Sequence, residues 1–476
     1  MEAATLSQLG IDAWLTVAVL FTSFTLLVLE CFKPHSILFA AVSFLVLCGV
    51  ISPMEAVLGF HNSAVLTIAL LFVLVAALRS NGAITHIAGI IMGKPQGYLY
   101  ALSRLIGASS VLSAFINNTP VVAMLTDAVL VWSEKHQVAV SKLLIPLSYA
   151  TILGGMCSLI GTSTNLIIVG LMQQYPHLPQ LHLFSPAWVG VPVSIVAAVY
   201  LLTIGHKLLP ERYVAAENAT QPIEQQSAVN TVLEKKHLLL NQIKAFWQIL
   251  PQQQYATVSS YFSDNKAFKS SAAGDERKPL NKSKVCISVL LFVVMIAAIT
   301  FLQVDIFIAL LWTVAALLLT GCLSLPTAIA AIDYKLIITI ACALALGMAL
   351  DSTGVASAVA TLLLGFAHAD PFWTLVVLYV MTVVFTEMLT NNATAVLMFP
   401  IALAASLQLD VSAMPFIMAV MVGASASFIT PIGYQTNMMV YSAGQYRFID
   451  YIRVGTPLSI LVGVVSLAII PVVWPF

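Results

Sequence analysis

Charge is what this sequence has least of. Asp, Glu, Lys and Arg make up 8% of its 476 residues, against about 25% in an ordinary soluble domain. With 60% hydrophobic residues, that excludes a water-soluble globular chain and points to a polytopic membrane protein. Motifs for nucleotide-driven or hydrolytic chemistry are missing as well. Gly89-Ile90-Ile91-Met92-Gly93-Lys94-Pro95 is one residue short of a phosphate-binding loop and has proline where that loop needs Ser or Thr. No HExxH, GxSxG or dinucleotide glycine pattern occurs. Cysteine is sparse: Cys31, Cys48, Cys157, Cys286, Cys322 and Cys342 lie in or beside apolar runs, none in CxxC spacing, and read as small buried hydrophobes. The expected protein is not an enzyme.

What is there is a series of apolar runs, interrupted once. They fall at roughly 13–32, 35–52, 63–80, 99–116, 119–133, 141–172 and 184–209, and then at 284–302, 304–322, 335–351, 372–389, 393–407, 413–442 and 453–475. Two halves of like order, 1–210 and 283–476, flank a polar insert, 211–282. The length leaves room for about ten spans of ~20 residues. The expected fold is all-α: each half has five transmembrane crossings, one of them broken, plus one re-entrant hairpin. The hairpin arms, 15–18 residues, are short for full spans.

Cation placement sets the orientation. Five crossings are an odd number, so the second half is inverted relative to the first. With both termini outside, all 20 Lys and Arg residues fall in segments on the cytoplasmic side, as the positive-inside bias requires. The insert is then cytoplasmic and the location a cell membrane. The start, Met1-Glu2-Ala3-Ala4, lacks the basic region of a cleaved signal. Within the insert, Val232, Leu240, Ile243, Phe246, Trp247 and Leu250 recur at helical spacing. They suit an amphipathic helix, while the composition equally suits a disordered linker. A second in-plane helix is expected over Ala83–Gln96.

Two polar knots break the apolar pattern. The first is Ser113-Ala114-Phe115-Ile116-Asn117-Asn118-Thr119-Pro120, and the second is Thr386-Glu387-Met388-Leu389-Thr390-Asn391-Asn392-Ala393-Thr394-Ala395. Each precedes a Gly/Thr/Asn cluster, Gly161-Thr162-Ser163-Thr164-Asn165 and Gly433-Tyr434-Gln435-Thr436-Asn437, at separations of 44 (Asn117 to Gly161) and 42 (Asn391 to Gly433). Paired breaks in corresponding places of two halves are the sequence sign of a transporter site at a repeat interface. Helix ends exposed there attract anions through unpaired N–H groups, while unwound carbonyls take cations. No Lys or Arg is near the tips. A bound anion is then held by neutral dipoles and balanced by co-bound cations, and Na+ suits oxygen ligands of this kind. Glu387, four positions before Asn391 as Ser113 is before Asn117, is an acid at membrane depth and a candidate for the coupling role. It either ligates Na+, carries a proton, or is a buried acid held by hydrogen bonds.

On these tip and break residues the chain resembles the divalent anion:sodium symporter family of the ion transporter superfamily, over all but the insert. That family has Ser-Asn-Thr at each tip; here the tips read Asn117-Asn118-Thr119 and Asn391-Asn392-Ala393. The resemblance implies an elevator-type secondary carrier, a homodimer, with substrate between the tips and one sodium at each. Matching positions give a first sodium site of Ser113, Asn118 and Gly161, and a second of Glu387, Asn392 and Gly433. Substrate would lie against Asn117, Asn118, Thr119, Thr162, Asn391, Asn392, Thr394 and Thr436. Asn-Asn tips and Thr-Ser-Thr-Asn or Tyr-Gln-Thr-Asn after the glycines, in place of Pro-Pro-Asn, look more like the sulfate-type branch. Three readings stand: Na+-coupled symport of a small divalent anion, sulfate ahead; symport of a dicarboxylate or citrate; and a Na+/H+ antiporter or arsenite-type efflux carrier. The expected partners are the anion, Na+ and lipid, with no other cofactor and no nucleic acid.

Overall fold

A computed structural model describes residues 10–28, 32–82, 97–212 and 282–476. The expectations for the insert helix and for Ala83–Gln96 lie outside the described residues. Those residues form an all-helical protein without strands. The first half comprises α1 (Ile11–Val28), α2 (Pro34–Leu47), α3 (Pro53–His61), α4 (Ser63–Ser80), α5 (Tyr98–Ser113), α6 (Asn118–His136), α7 (Leu144–Gly155), α8 (Ser163–Met172) and α9 (Ala187–Tyr200). A π turn, Leu201–Gly205, extends α9 to Leu208. The second half comprises α10 (Lys282–Phe301), α11 (Ile306–Leu319), α12 (Leu325–Ala331), α13 (Tyr334–Ser352), α14 (Val355–Phe366), α15 (Pro371–Met388), α16 (Asn391–Leu409), α17 (Met414–Ser425), α18 (Gln435–Ala443) and α19 (Phe448–Val473). Taken in order, α10–α13 repeat α1–α4 and α15–α19 repeat α5–α9.

Local chemistry starts these helices where the apolar runs begin. Asp370 accepts the Trp373 N–H at 2.9 Å ahead of Pro371, and Asp333 accepts that of Leu336 at 3.1 Å. Asn62 accepts from Ala64 at 2.9 Å, and Ser52 with Glu55 closes a capping box on α3. Short polar side chains satisfy first-turn N–H groups that lipid cannot. Seven helices among the described residues are long and apolar enough to cross a membrane. Two of them, α15 and α16, are the arms of the second hairpin, at 18 and 19 residues. Of these, α15 has the length of its apolar run, while α16 is longer than its run, 393–407, because the helix starts at the polar Asn391.

The halves are interleaved. From the first, α4 packs on α11 and α12; from the second, α13 packs on α2 and α3. Hydrogen bonds fix their directions. At one end Asn81, just after α4, reaches Ser288 Oγ at 2.7 Å and the Cys322 carbonyl at 3.0 Å. At the other end Asn62, just before α4, bonds the Gly170 carbonyl at 2.8 Å, and Tyr175, just beyond α8, donates to Asp351 at the end of α13 at 2.9 Å. The start of α4 and the end of α13 therefore share a face, and the two run in opposite directions. On the face opposite Asp351, Arg212 bonds Asp450 at 2.7 Å and Lys142 bonds Glu211 at 2.6 Å.

Close crossings between halves use glycine. A Cβ on Gly59 of α3 would lie 2.2 Å from the Ala341 carbonyl oxygen of α13. Gly59→Ala is expected to destabilise the fold by about 1–3 kcal/mol, the cost of overpacking a rigid backbone contact. A lowered thermal midpoint of the purified protein in detergent is the measurement that checks it.

Candidate functional site

Each hairpin turns between two helices, and the same small network closes both turns. In the first, Ser113 ends α5 and its hydroxyl donates to Asn118 Oδ1, at the first residue of α6, at 2.5 Å. In the second, Thr386 on α15 donates to Asn391 Oδ1, at the first residue of α16, at 2.9 Å. Both hydroxyls and both asparagines are buried. The counterpart of Asn118 is therefore Asn391, and that of Ser113 is Thr386. This shifts by one residue the alignment expected from the Asn-Asn pairs. The second tip is Thr390-Asn391-Asn392, and Glu387 stands opposite Ala114.

The broken segments obey the same register. Between α7 and α8 the chain unwinds over 156–162, and between α17 and α18 over 426–434. Asn165 sends its amide N–H back to the Ser158 carbonyl at 2.8 Å. Asn437 does the same to the carbonyls of Ser427 at 3.0 Å and Thr430 at 3.3 Å. Ser158 donates its hydroxyl to the Ala114 carbonyl and takes the Gly161 N–H at 3.1 Å. Thr430 donates to the Glu387 carbonyl at 3.2 Å and takes the Gly433 N–H at 3.1 Å. Each break is tied to the tip of its own half. The glycines permit the approach: a Cβ on Gly161 would be 2.8 Å from the Ser113 carbonyl, and one on Gly433 would be 2.7 Å from that of Thr386.

Across the halves, tip meets break. Thr119 bonds Gln435 at 2.9 Å; its counterpart Asn392 accepts from Ser163 at 3.1 Å and Thr164 at 3.3 Å. Asn118 donates its amide to the Tyr434 hydroxyl, which also lies 3.4 Å from Thr162 Oγ1. Thus α6, α8, α16 and α18 all begin at this junction. Asn117, Thr162 and Tyr434, which precede α6, α8 and α18, make no side-chain capping bond. Unpaired first-turn N–H groups there are anion donors.

Of the residues expected from sequence, Asn117, Asn118, Thr119, Thr162, Gly161, Asn391, Asn392 and Gly433 come to this junction. Thr436 is turned toward α7, bonded to Ser148 at 2.9 Å. Thr394 is fully buried one turn into α16 with its hydroxyl unpartnered. Glu387 faces the second break, accepting the N–H groups of Phe428 and Ile429 at 2.8 Å and of Thr430 at 2.9 Å. Thr386, Ser163, Tyr434 and Gln435 belong to the junction although sequence reading gave them no role. The five-residue spacing from hydroxyl to asparagine, common to Ser113/Asn118 and Thr386/Asn391, was the signal that finds Thr386. Unpartnered buried atoms gather at the second tip: Asn391 Nδ2, Thr394 Oγ1, Ser425 Oγ and Ser427 Oγ. No group of three or more His, Cys, Asp or Glu residues is placed to hold a metal among the described residues.

The two tips do not face alike surroundings. In the second half α13 packs on α16, and a Cβ on Gly347 would be in ordinary contact with Leu171, Val396 and Pro400. In the first half a cleft separates α4 from the tip, with Ile68, Phe72 and Val75 on one wall and Asn117, Pro120 and Ser163 on the other.

Helix starts and unwound breaks meeting inside an apolar bundle define a multi-pass membrane protein with a polar junction between its halves. The chain belongs to the citrate transporter family, whose model matches residues 24–423. It is 27% identical to an uncharacterized transporter of Synechocystis over 94% of this chain and 95% of that protein. It is 36% identical to sodium/sulfate cotransporter 2 of Chlamydomonas reinhardtii over 34% of this chain and 19% of that protein. An uncharacterized transporter of Escherichia coli is 38% identical over 34% of this chain and 27% of that protein. The protein is a membrane transporter, not an enzyme.

Asn437→Ala leaves two carbonyls of the second break, the buried one of Ser427 and the half-buried one of Thr430, without their donor. A loss of about 1–3 kcal/mol is expected, read as a lower thermal midpoint, and Asn165→Ala should behave alike.

Proposed function

We propose that the protein carries a small divalent anion, sulfate ahead of others, together with Na+, by elevator-type alternating access in a homodimer. One observation carries the reading: four helix N-termini converge on one buried junction, three of them without a side-chain cap. Positive dipole ends of this kind hold an anion without Lys or Arg. The anion is placed against Asn117, Thr119, Thr162 and Asn392, at the starts of α6, α8 and α16. Its charge is balanced by sodium at each tip. The first sodium takes oxygens from Ser113, Asn118 and the Gly161 region. The second takes them from Thr386, Asn391 and the Gly433 region, where unpartnered hydroxyls gather. The fit is chemical: Na+ wants several hard oxygens, and hydroxyls, amide oxygens and unwound carbonyls are such ligands. The opposed directions of α4 and α13 support two inverted repeats, and the names of the Chlamydomonas relatives support sulfate and sodium.

A citrate or dicarboxylate symporter is the second reading, favoured by the name of the family. An antiporter or arsenite-type carrier has less support, because the acid nearest the tips, Glu387, spends its oxygens on backbone N–H groups. Radiolabelled sulfate uptake into proteoliposomes, with Na+ and H+ gradients imposed separately and succinate or citrate as competitor, tests the choice. Sulfate uptake driven by Na+ and indifferent to succinate is expected. Asn118→Ala and Asn391→Ala should each reduce it by roughly tenfold or more, since each removes a ligand, and Asn118→Ala also leaves the buried Ser113 hydroxyl unpaired. Uptake of succinate or citrate alone moves the protein to the second reading, and H+-driven movement of neither moves it to the third.

A further inference from the structure

We infer that Glu387 is a positioning residue: a built-in anion that holds the second break unwound and locks it to the second tip. The transport part of this inference rests on the reading above; its structural part does not. Glu387 is the penultimate residue of α15, the end of a helix where the dipole disfavours an acid. Its carboxylate is compensated from outside that helix. Oε1 accepts from Phe428 and Ile429, and Oε2 accepts from Thr430. These are three successive backbone N–H groups, the kind of concavity that binds anions. An ionised carboxylate only accepts hydrogen bonds, so it suits three donors as a protonated one does not.

The first half is the internal control. There the counterpart of Glu387 is Ala114, and the counterparts of Phe428 and Ile429 are Met156 and Cys157. Met156 N–H goes to the carbonyls of Ile152 and Leu153, and Cys157 N–H to that of Gly154, so these groups stay on α7. With no carboxylate opposite, α7 runs on to Gly155. In the second half α17 ends at Ser425, two residues earlier in the common register, where Ser427 stands for Gly155. The carboxylate thus takes over N–H groups that would otherwise bond carbonyls of the last turn of α17. One carbonyl so released, that of Ala424, accepts instead from Thr386 at 2.6 Å, beside Asn391. Glu387 shapes the oxygen-lined face of the second tip without itself facing that tip. From the first half, Tyr149 donates its hydroxyl to the Phe428 carbonyl at 2.6 Å.

The test is an anion added back. Glu387→Ala opens the concavity; Glu387→Gln fills it with a side chain that offers one acceptor oxygen and one misplaced donor. Both are expected to lower the thermal midpoint in detergent. Millimolar formate should raise the midpoint of Glu387→Ala, and leave wild type, Glu387→Gln and Asn391→Ala unmoved. In proteoliposomes Glu387→Ala should lose uptake roughly tenfold, as a lost charge-assisted network costs, and formate should restore it. Charge moved per anion should stay at the wild-type value in every variant that transports. The inference is overturned if Glu387→Gln keeps the wild-type midpoint, if formate has no effect on Glu387→Ala, or if Glu387→Gln transports at the wild-type rate with altered charge per anion or pH dependence. That last result makes Glu387 a coupling group. Should wild type carry no sulfate, the proposed cargo fails while the formate effect on the midpoint still decides the role of Glu387.

Discussion

Every unwound residue inside an apolar bundle releases an N–H and a carbonyl that lipid cannot satisfy. The architecture around the two breaks answers that constraint. Asn165 and Asn437 turn their amides back to cover carbonyls of their own breaks. Ser158 and Thr430 use one hydroxyl twice, as donor to the tip and acceptor from the break glycine. Glycines at 161 and 433 let strands of bare backbone approach closely. The polar residues that look like a binding site in the sequence are thus partly structural. They keep open a place where helix starts face one another.

Much of this was legible in the amino-acid string, for a physical reason. An apolar chain with two clusters of amides and hydroxyls at matched separations has few ways to bury them, and pairing them at one junction is the economical one. The helical class, the two similar halves and the tip and break positions all follow from where polarity interrupts the runs. What did not follow was the register of the second tip. Asn117-Asn118 and Asn391-Asn392 look like the same dipeptide, yet the residue that begins each helix and receives the hydroxyl is Asn118 in one and Asn391 in the other. Identity of letters misled, because the deciding quantity is distance along the preceding helix, five residues from Ser113 and from Thr386. Tyr434 was illegible for another reason. Its partner Asn118 is 316 residues away, and no local pattern reports a contact of that separation.

The halves share a plan but not a state. Packing of α13 on α16 joins it to the second hairpin, whereas a cleft parts α4 from the first. The Ala114/Glu387 difference runs in the same sense. The second tip is bonded to its break through a main-chain carbonyl and a carboxylate, the first through a carbonyl alone. One side of the junction is a braced wall and the other a looser one.

Interleaving has a consequence for how the chain is made. During synthesis α4 emerges long before α11 and α12, the helices it packs on. The first tip emerges likewise before Tyr434 and Gln435, which satisfy Asn118 and Thr119. Until that late stretch is made, Asn118 has Ser113 but not Tyr434 as a partner. The junction is therefore complete only once Tyr434 and Gln435 have been made.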